Sequence, residues 1–203
     1  MGSAHIRFLI DNVILDMFNK SIAKYKDDPP FTLTSGRKSP WYFDIKSAIM
    51  DGSIVGSIRY YLDQLYYERQ IDNFDRIGGV ANGGYSMVTL AMFSNAGIRQ
   101  QNAFVYRKKP KGHGLQNQVD GHGVLNNERV LLLEDVITTG GSLMPVIKYV
   151  EECGASVSQI FCVVNRIEEP HPEFKQYEEK VISMITLEQA KKVYDKHFKK
   201  EQK

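Results

Sequence analysis

Cysteine is scarce in this 203-residue sequence: Cys153 and Cys162 stand nine apart, with no histidine at finger-like spacing. That excludes a disulfide framework and a structural zinc site, and it makes the two thiols reduced core residues. Long apolar runs are also missing. No stretch approaches the ~20 residues needed to cross a bilayer, and the amino terminus lacks the apolar core of a signal peptide, so a cytoplasmic protein without a membrane role is expected. An excess of either charge is absent as well. Twenty-six Lys and Arg face 24 Asp and Glu, for a net charge of +2, which gives no support to a nucleic-acid partner. What remains is an ordinary globular mixture, 42% hydrophobic and 25% charged, of a length that suits one domain over residues 1–203.

Hydrophobic spacing orders the chain. Ile6, Ile10, Val13, Ile14, Met17, Phe18 and Ile22 recur at helical steps, which predicts a first helix ended by the prolines of "KDDPP". Ile54, Ile58, Tyr61, Leu62 and Leu65 outline a second. Strands and helices then alternate: a strand over 76–80, a helix over 86–94 closed by Gly97, a strand over 103–106, a strand over 130–133, a helix over 143–152 closed by Gly154, and a strand over 157–164. Strands apolar on both faces and separated by helices predict a parallel sheet covered on both sides. Residues 180–185 suggest an edge strand, and Thr186 with Gln189 a capping box opening a last helix with Leu187, Ala190, Val193, Tyr194 and Phe198 on its inner face. One polar, glycine-rich stretch, residues 107–128, is too long for an ordinary connection, and loops of that length in a compact domain are usually functional.

Chemistry concentrates in "VLLLEDVITTGGS", residues 130–142. A buried-type strand ends in Glu134 and Asp135, and a small-residue turn leads into a helix. Ligands of open α/β sheets sit beyond the carboxyl ends of strands. There, backbone N–H groups and the helix dipole suit a phosphate, Thr138, Thr139 and Ser142 add hydroxyl donors, and Gly140 and Gly141 allow close approach. Neither a Walker loop nor a dinucleotide fingerprint is present. Acids beside an anion cradle are reconciled by a sugar phosphate: the turn takes the phosphate, and the carboxylates accept from sugar hydroxyls or help organise a hard cation.

This stretch resembles the phosphoribosyl pyrophosphate (PRPP) motif of type I phosphoribosyltransferases, formed here by Glu134, Asp135, Val136, Ile137, Thr138, Thr139, Gly140, Gly141 and Ser142. Three further segments resemble the orotate phosphoribosyltransferases within that family. "FTLTSGRKSPWYFD" is similar to their pyrimidine pocket, with Ser35 and Gly36 offering backbone groups and Tyr42 and Phe43 offering rings. "VYRKKPKGHG" is similar to their catalytic loop, which by matching positions places Arg107, Lys108, Lys111 and His113 on the pyrophosphate. "VVNRIEEP" supplies Arg166, matching an arginine used on orotate, whose guanidinium fork suits a planar carboxylate or carbonyl edge. Thr138 would also face orotate. Taken singly, the basic loop could equally be solvated or touch RNA, and Arg166 could pair with Glu168 or Glu169.

The resemblance implies an α/β chain of the type I phosphoribosyltransferase fold. Its parts would be a central, mostly parallel sheet flanked by helices, a small hood over about residues 1–50, a core over about 70–185, a last helix over about 186–198 and a long flexible catalytic loop. It further implies a pentosyltransferase that joins PRPP to orotate with Mg²⁺ held mainly by PRPP, in a homodimer whose loops serve the neighbouring site. Arg107, Lys108, Lys111, His113 and Asp135 would be its catalytic residues. "GGVANGGYSMVTLA" resembles the family's pyrophosphate-facing glycine loop, but Gly83 and Thr34 stand where many members carry lysine. Two other readings stay open at this point. A phosphoribosyltransferase for another base should lack the basic loop and Arg166, and a PRPP-sensing module should lack the loop.

Overall fold

The structure is a computed structural model that describes residues 4–33, 36, 38–81, 83–94, 102–107 and 118–199. The chain divides into two compact units, residues 1–57 with 185–203, and residues 58–184.

In the first unit, helix α1 (Ala4–Asn19) buries Ile6, Ile10, Val13, Ile14, Met17 and Phe18, the face its spacing predicts. It stops well before the prolines. Ser21 takes a left-handed φ of 57°, and the Ile22 amide donates to Met17 O at 2.8 Å while the Ser21 amide donates to Phe18 O at 3.0 Å. This pair of bonds is a Schellman closure, which satisfies the last carbonyls without glycine or proline. Strand β1 (Ala23–Tyr25) then pairs antiparallel with β4 (Trp41–Phe43), and β2 (Phe31–Thr32) with β3 (Lys38–Ser39). Asp44 caps helix α2 (Ile45–Met50) by accepting from the Ser47 amide at 3.2 Å, and α3 (Gly52–Tyr67), which begins here, continues past residue 57 as part of the second unit. The last helix, α6 (Leu187–His197), opens with the expected Thr186–Gln189 capping box and packs on α1. Phe18, Tyr25, Trp41, Tyr194 and Phe198 form one aromatic cluster there, with the closest centroids, Tyr25 and Trp41, 4.6 Å apart. Each such ring pair contributes about 0.5–1.5 kcal/mol beyond the area it buries.

The second unit is built on a six-stranded sheet. Its strands are β5 (Arg76–Val80), β6 (Asn102–Tyr106), β7 (Val119–Gly121), β8 (Arg129–Ile137), β9 (Ser156–Asn165) and β10 (Val181–Thr186), in the order β10-β9-β8-β5-β6-β7. The pairs β6–β5, β5–β8 and β8–β9 are parallel, and β7 returns antiparallel along β6. Every residue of β5 is buried, as are residues 130–134 of β8 and 160–164 of β9, as a sheet covered on both faces requires. Two expectations are corrected. β8 does not end at Leu133 but runs through both acids to Ile137, because its ladder continues with Glu134 opposite Cys162, Val136 opposite Val164 and Ile137 opposite Asn165. The stretch 107–128 is not loop throughout, since β7 gives it a strand.

Helices α4 (Gly83–Met92) and α5 (Met144–Glu152) complete the alternation. α4 begins three residues before the predicted start, and Gly97, expected to close it, lies outside the described residues. α5 ends as predicted at Gly154, with φ 73° and the Ala155 amide donating to Val150 O at 3.1 Å. Its inner face (Val146, Ile147, Val150) packs with Val130, Leu132, Val157, Ile160 and Cys162 in the core. Among the described residues, no helix is long and apolar enough to cross a membrane.

Candidate active site

Residues 138–143 carry the chain from the carboxyl end of β8 into α5. No side chain caps that helix, so its amino end is dressed by backbone and by the turn itself. The Leu143 amide donates to Gly140 O at 3.0 Å, and the Gly141 amide to the Thr139 hydroxyl at 3.3 Å. Gly140 adopts φ +76°, and a Cβ there would stand 2.1 Å from the Phe174 ring. Phe174 is wholly buried. The turn is therefore braced from beneath by the segment after β9, whose His171 amide also donates to Thr139 O at 2.7 Å. Thr138, Thr139, Gly141 and Ser142 stay partly exposed above this brace. The result is a partly exposed turn of small residues at a helix amino end, suited to an anion.

The two acids are held by the backbone. Glu134 accepts from the Asp135 amide at 3.0 Å, and Asp135 accepts from the Val136 amide at 2.8 Å. Strand alternation sends adjacent side chains to opposite faces, and the burial differs accordingly: Glu134 is 5% exposed, Asp135 intermediate. Burial, and then the charge of Glu134, push the Cys162 thiol up, so it stays protonated and plays no nucleophilic part. Asp135 faces α4. A Cβ on Gly83 would stand 2.7 Å from its Cγ and 2.8 Å from each oxygen. The absence of a side chain at Gly83 thus has a local cause, since the carboxylate fills the space that a side chain would leave through.

The glycine turn before α4 works by backbone approach. A Cβ on Gly84 would meet the carbonyl carbon of Gly79 at 2.6 Å, and one on Gly78 the Phe104 ring at 2.5 Å. The loop expected to face pyrophosphate is therefore a place where helix and strand nearly touch.

Arg166 follows the last residue of β9, and its amide donates to Ile137 O at 3.0 Å, which sets it one strand away from the Thr138 turn. It is 8% exposed. Arg107 follows β6, with its amide donating to Gln118 O at 2.7 Å and its Nε 3.2 Å from Asp120 Oδ2. That approach is an ion pair by distance, without the alignment of a hydrogen bond at Nε. Lys108, Lys111 and His113 lie outside the described residues, as does Ser35. In the first unit, Gly36 has φ +81°, and a Cβ there would meet no atom of the described residues within 4 Å. Alternation along β4 makes Phe43 a core residue at 7% exposure and leaves Tyr42 at 37%, its ring 5.5 Å from that of Phe31. Of the two rings expected at a ligand, Tyr42 is thus the one presented outward.

Sequence reasoning missed the brace, His171 and Phe174, and the contacts of Tyr85 and Asp120 around Arg107. "HPEF" offered only a buried aromatic after Arg166 as a signal, and "QVDG" is too short to announce a strand. Among the described residues, no three His, Cys, Asp or Glu side chains gather as a metal site.

The sequence of residues 60–194 matches the phosphoribosyl transferase domain family. An orotate phosphoribosyltransferase of Methanosphaera stadtmanae is 33% identical over 162 residues, 80% of this chain and 86% of that one. One of Aquifex aeolicus is 35% identical over 160 residues, 75% of this chain and 81% of that one. Among solved structures, the Mycobacterium tuberculosis orotate phosphoribosyltransferase in complex with Fe(III) dicitrate superposes with a TM-score of 0.68 at 25% identity, covering 90% of this chain and 98% of that one. The chain belongs to the phosphoribosyltransferase family, in its orotate phosphoribosyltransferase branch.

Proposed function

We propose that this chain transfers the phosphoribosyl group of PRPP to orotate, giving orotidine 5′-monophosphate and pyrophosphate, a step of pyrimidine synthesis in the cytoplasm. The observation that supports this best is the tie between Arg166 and Ile137 at 3.0 Å. It ties the backbone of Arg166, read here as the arginine that recognises the base, to the strand that leads into the Thr138 turn, in a chain whose relatives are orotate phosphoribosyltransferases.

The transition state is an oxocarbenium-like sugar, so positioning and charge stabilisation dominate over covalent chemistry. Thr138, Thr139, Gly140, Gly141 and Ser142 hold the 5-phosphate. Glu134 and Asp135 serve the ribose hydroxyls, with Asp135 the more accessible of the two. Arg107, Lys108, Lys111 and His113 meet the departing pyrophosphate. By the family's pattern orotate is assigned to Ser35, Gly36, Tyr42 and Phe43 and to Thr138 and Arg166, with Tyr42 the ring presented outward and Phe43 in the core. The described acids form no three-ligand cage, and the hard oxygens of Asp135, the more accessible acid, would suit Mg²⁺ that arrives on PRPP. When bound, the ion neutralises charge on the diphosphate. The chain works as a homodimer, each loop serving its partner's site.

Incubation with PRPP and Mg²⁺ against orotate, uracil, adenine and hypoxanthine tests the assignment. Consumption of orotate alone is expected, and turnover of a purine in its place would sink it. Mixing inactive Lys108→Ala and Asp135→Asn proteins tests the shared site: activity should partly return in hybrid dimers. No recovery, with subunit exchange verified, assigns the loop to its own subunit.

A further inference from the structure

One carboxylate stands between two elements that the proposed reaction uses. β7 returns along β6 with Asp120 opposite Val105 and Val119 opposite Tyr106, so Asp120 lies beside the point where Arg107 leaves the sheet. From the other side Tyr85, in the first turn of α4, donates its hydroxyl to Asp120 Oδ2. The same oxygen lies 3.2 Å from Arg107 Nε. The acceptor role raises the Tyr85 hydroxyl's pKa, chiefly through that hydrogen bond, so the phenol stays protonated as the donor. The Arg107 side chain is 13% exposed and that of Asp120 29%, so the pair is shielded enough for its geometry to matter, and not sealed from an incoming anion.

A free arginine side chain loses rotamer freedom when it grips a ligand. A neighbouring acid that already fixes the guanidinium removes part of that cost before the ligand arrives, which is preorganisation. An acid also competes with an anionic ligand for the same cation. The Tyr85 hydroxyl tempers that competition by sharing the charge on Oδ2. We propose that Tyr85 and Asp120 are positioning residues that hold Arg107 at the base of the basic segment, oriented for the pyrophosphate leaving group. This rests on the reading of Arg107 as a pyrophosphate ligand. Neither residue touches the reacting atoms in this scheme; both act through Arg107.

The test is a mutant cycle on the full chain, followed by kinetics in both PRPP and orotate and by calorimetric titration with Mg²⁺ pyrophosphate. Asp120→Asn should lower kcat/KM for PRPP about tenfold and weaken pyrophosphate binding, with KM for orotate unchanged. Asp120→Glu should recover part of the loss. Tyr85→Phe should act in the same direction by about threefold, with no further loss when combined with Asp120→Asn. Placed on Arg107→Ala, which itself should be severely impaired, Asp120→Asn should add nothing, since its effect runs through the missing guanidinium. Full additivity on Arg107→Ala would overturn the inference and reduce Asp120 to a residue that closes the β6–β7 hairpin. A fully active Arg107→Ala would overturn the reading of Arg107 and the inference with it. Should Asp120→Asn fail to fold, Tyr85→Phe on Arg107→Ala carries the same test, because the tyrosine sits on an exposed helical turn.

Discussion

Two glycine-rich turns lead from parallel strands into helices in this sheet, and they use glycine for different ends. Between β5 and α4, Gly79 and Gly84 allow backbone to meet backbone, a Cβ at Gly84 standing 2.6 Å from Gly79. Between β8 and α5, Gly140 makes a left-handed bend over a buried ring, and hydroxyls and acids stand around it. The first turn gives up side chains so that two elements can pack. The second keeps its polar side chains and, at Gly140, gives up the one that would block the bend. Asp135 joins the two, rooted in β8 and packed on Gly83 at the start of α4. Small residues in similar sequence contexts thus mark a packing joint in one place and the bend of a candidate ligand site in the other.

The sharpest way to break this contrast is Gly140→Ala. It combines a left-handed backbone with overlap on Phe174, and a loss of roughly 3 kcal/mol or more in urea unfolding is expected. Adding Phe174→Leu should recover only the steric part, because the φ penalty remains. Asp135→Asn comes next. Stability should hold while kcat falls about 100-fold, as for the loss of one stabilising polar group in a transition state. An unchanged kcat would reduce Asp135 to a packing residue of α4. At the first turn, Gly84→Ala should cost roughly 2 kcal/mol by forcing helix and strand apart, with activity falling only as far as α4 shifts. Gly83→Ala should have the smallest effect on stability, under about 1 kcal/mol, because a carboxylate can swing aside where backbone cannot. Its mark should be kinetic, a drop in kcat of about tenfold from the displaced Asp135. If Gly83→Ala instead unfolds the protein as Gly84→Ala is expected to, the two glycines do the same work.

The alternating strands and helices of the sheet, the face of α1, the stop at Gly154 and the capping box of α6 were legible in the sequence because each rests on local periodicity or on a local bond. Boundaries set by distant partners were not. α1 ends at a Ser21 closure because the following strand, β1, pairs with β4 about twenty residues on. β8 extends through two acids because β9 keeps offering hydrogen bonds alongside. β7 escaped notice because three residues make a strand only when a neighbour such as β6 is there to pair with.

By itself the sequence determined the chemistry on offer: the turn with its hydroxyls, the adjacent acids, the basic segment and an arginine after the last buried strand. Tertiary structure decided how these groups are held. It turned Phe43 inward and Tyr42 outward, packed Asp135 on Gly83, braced the turn before α5 with Phe174 and set Asp120 beside Arg107. The physical reason is reach: motifs are written in bonds along the chain, whereas a carboxylate's neighbours are set by which strands pair and how closely a helix can approach them.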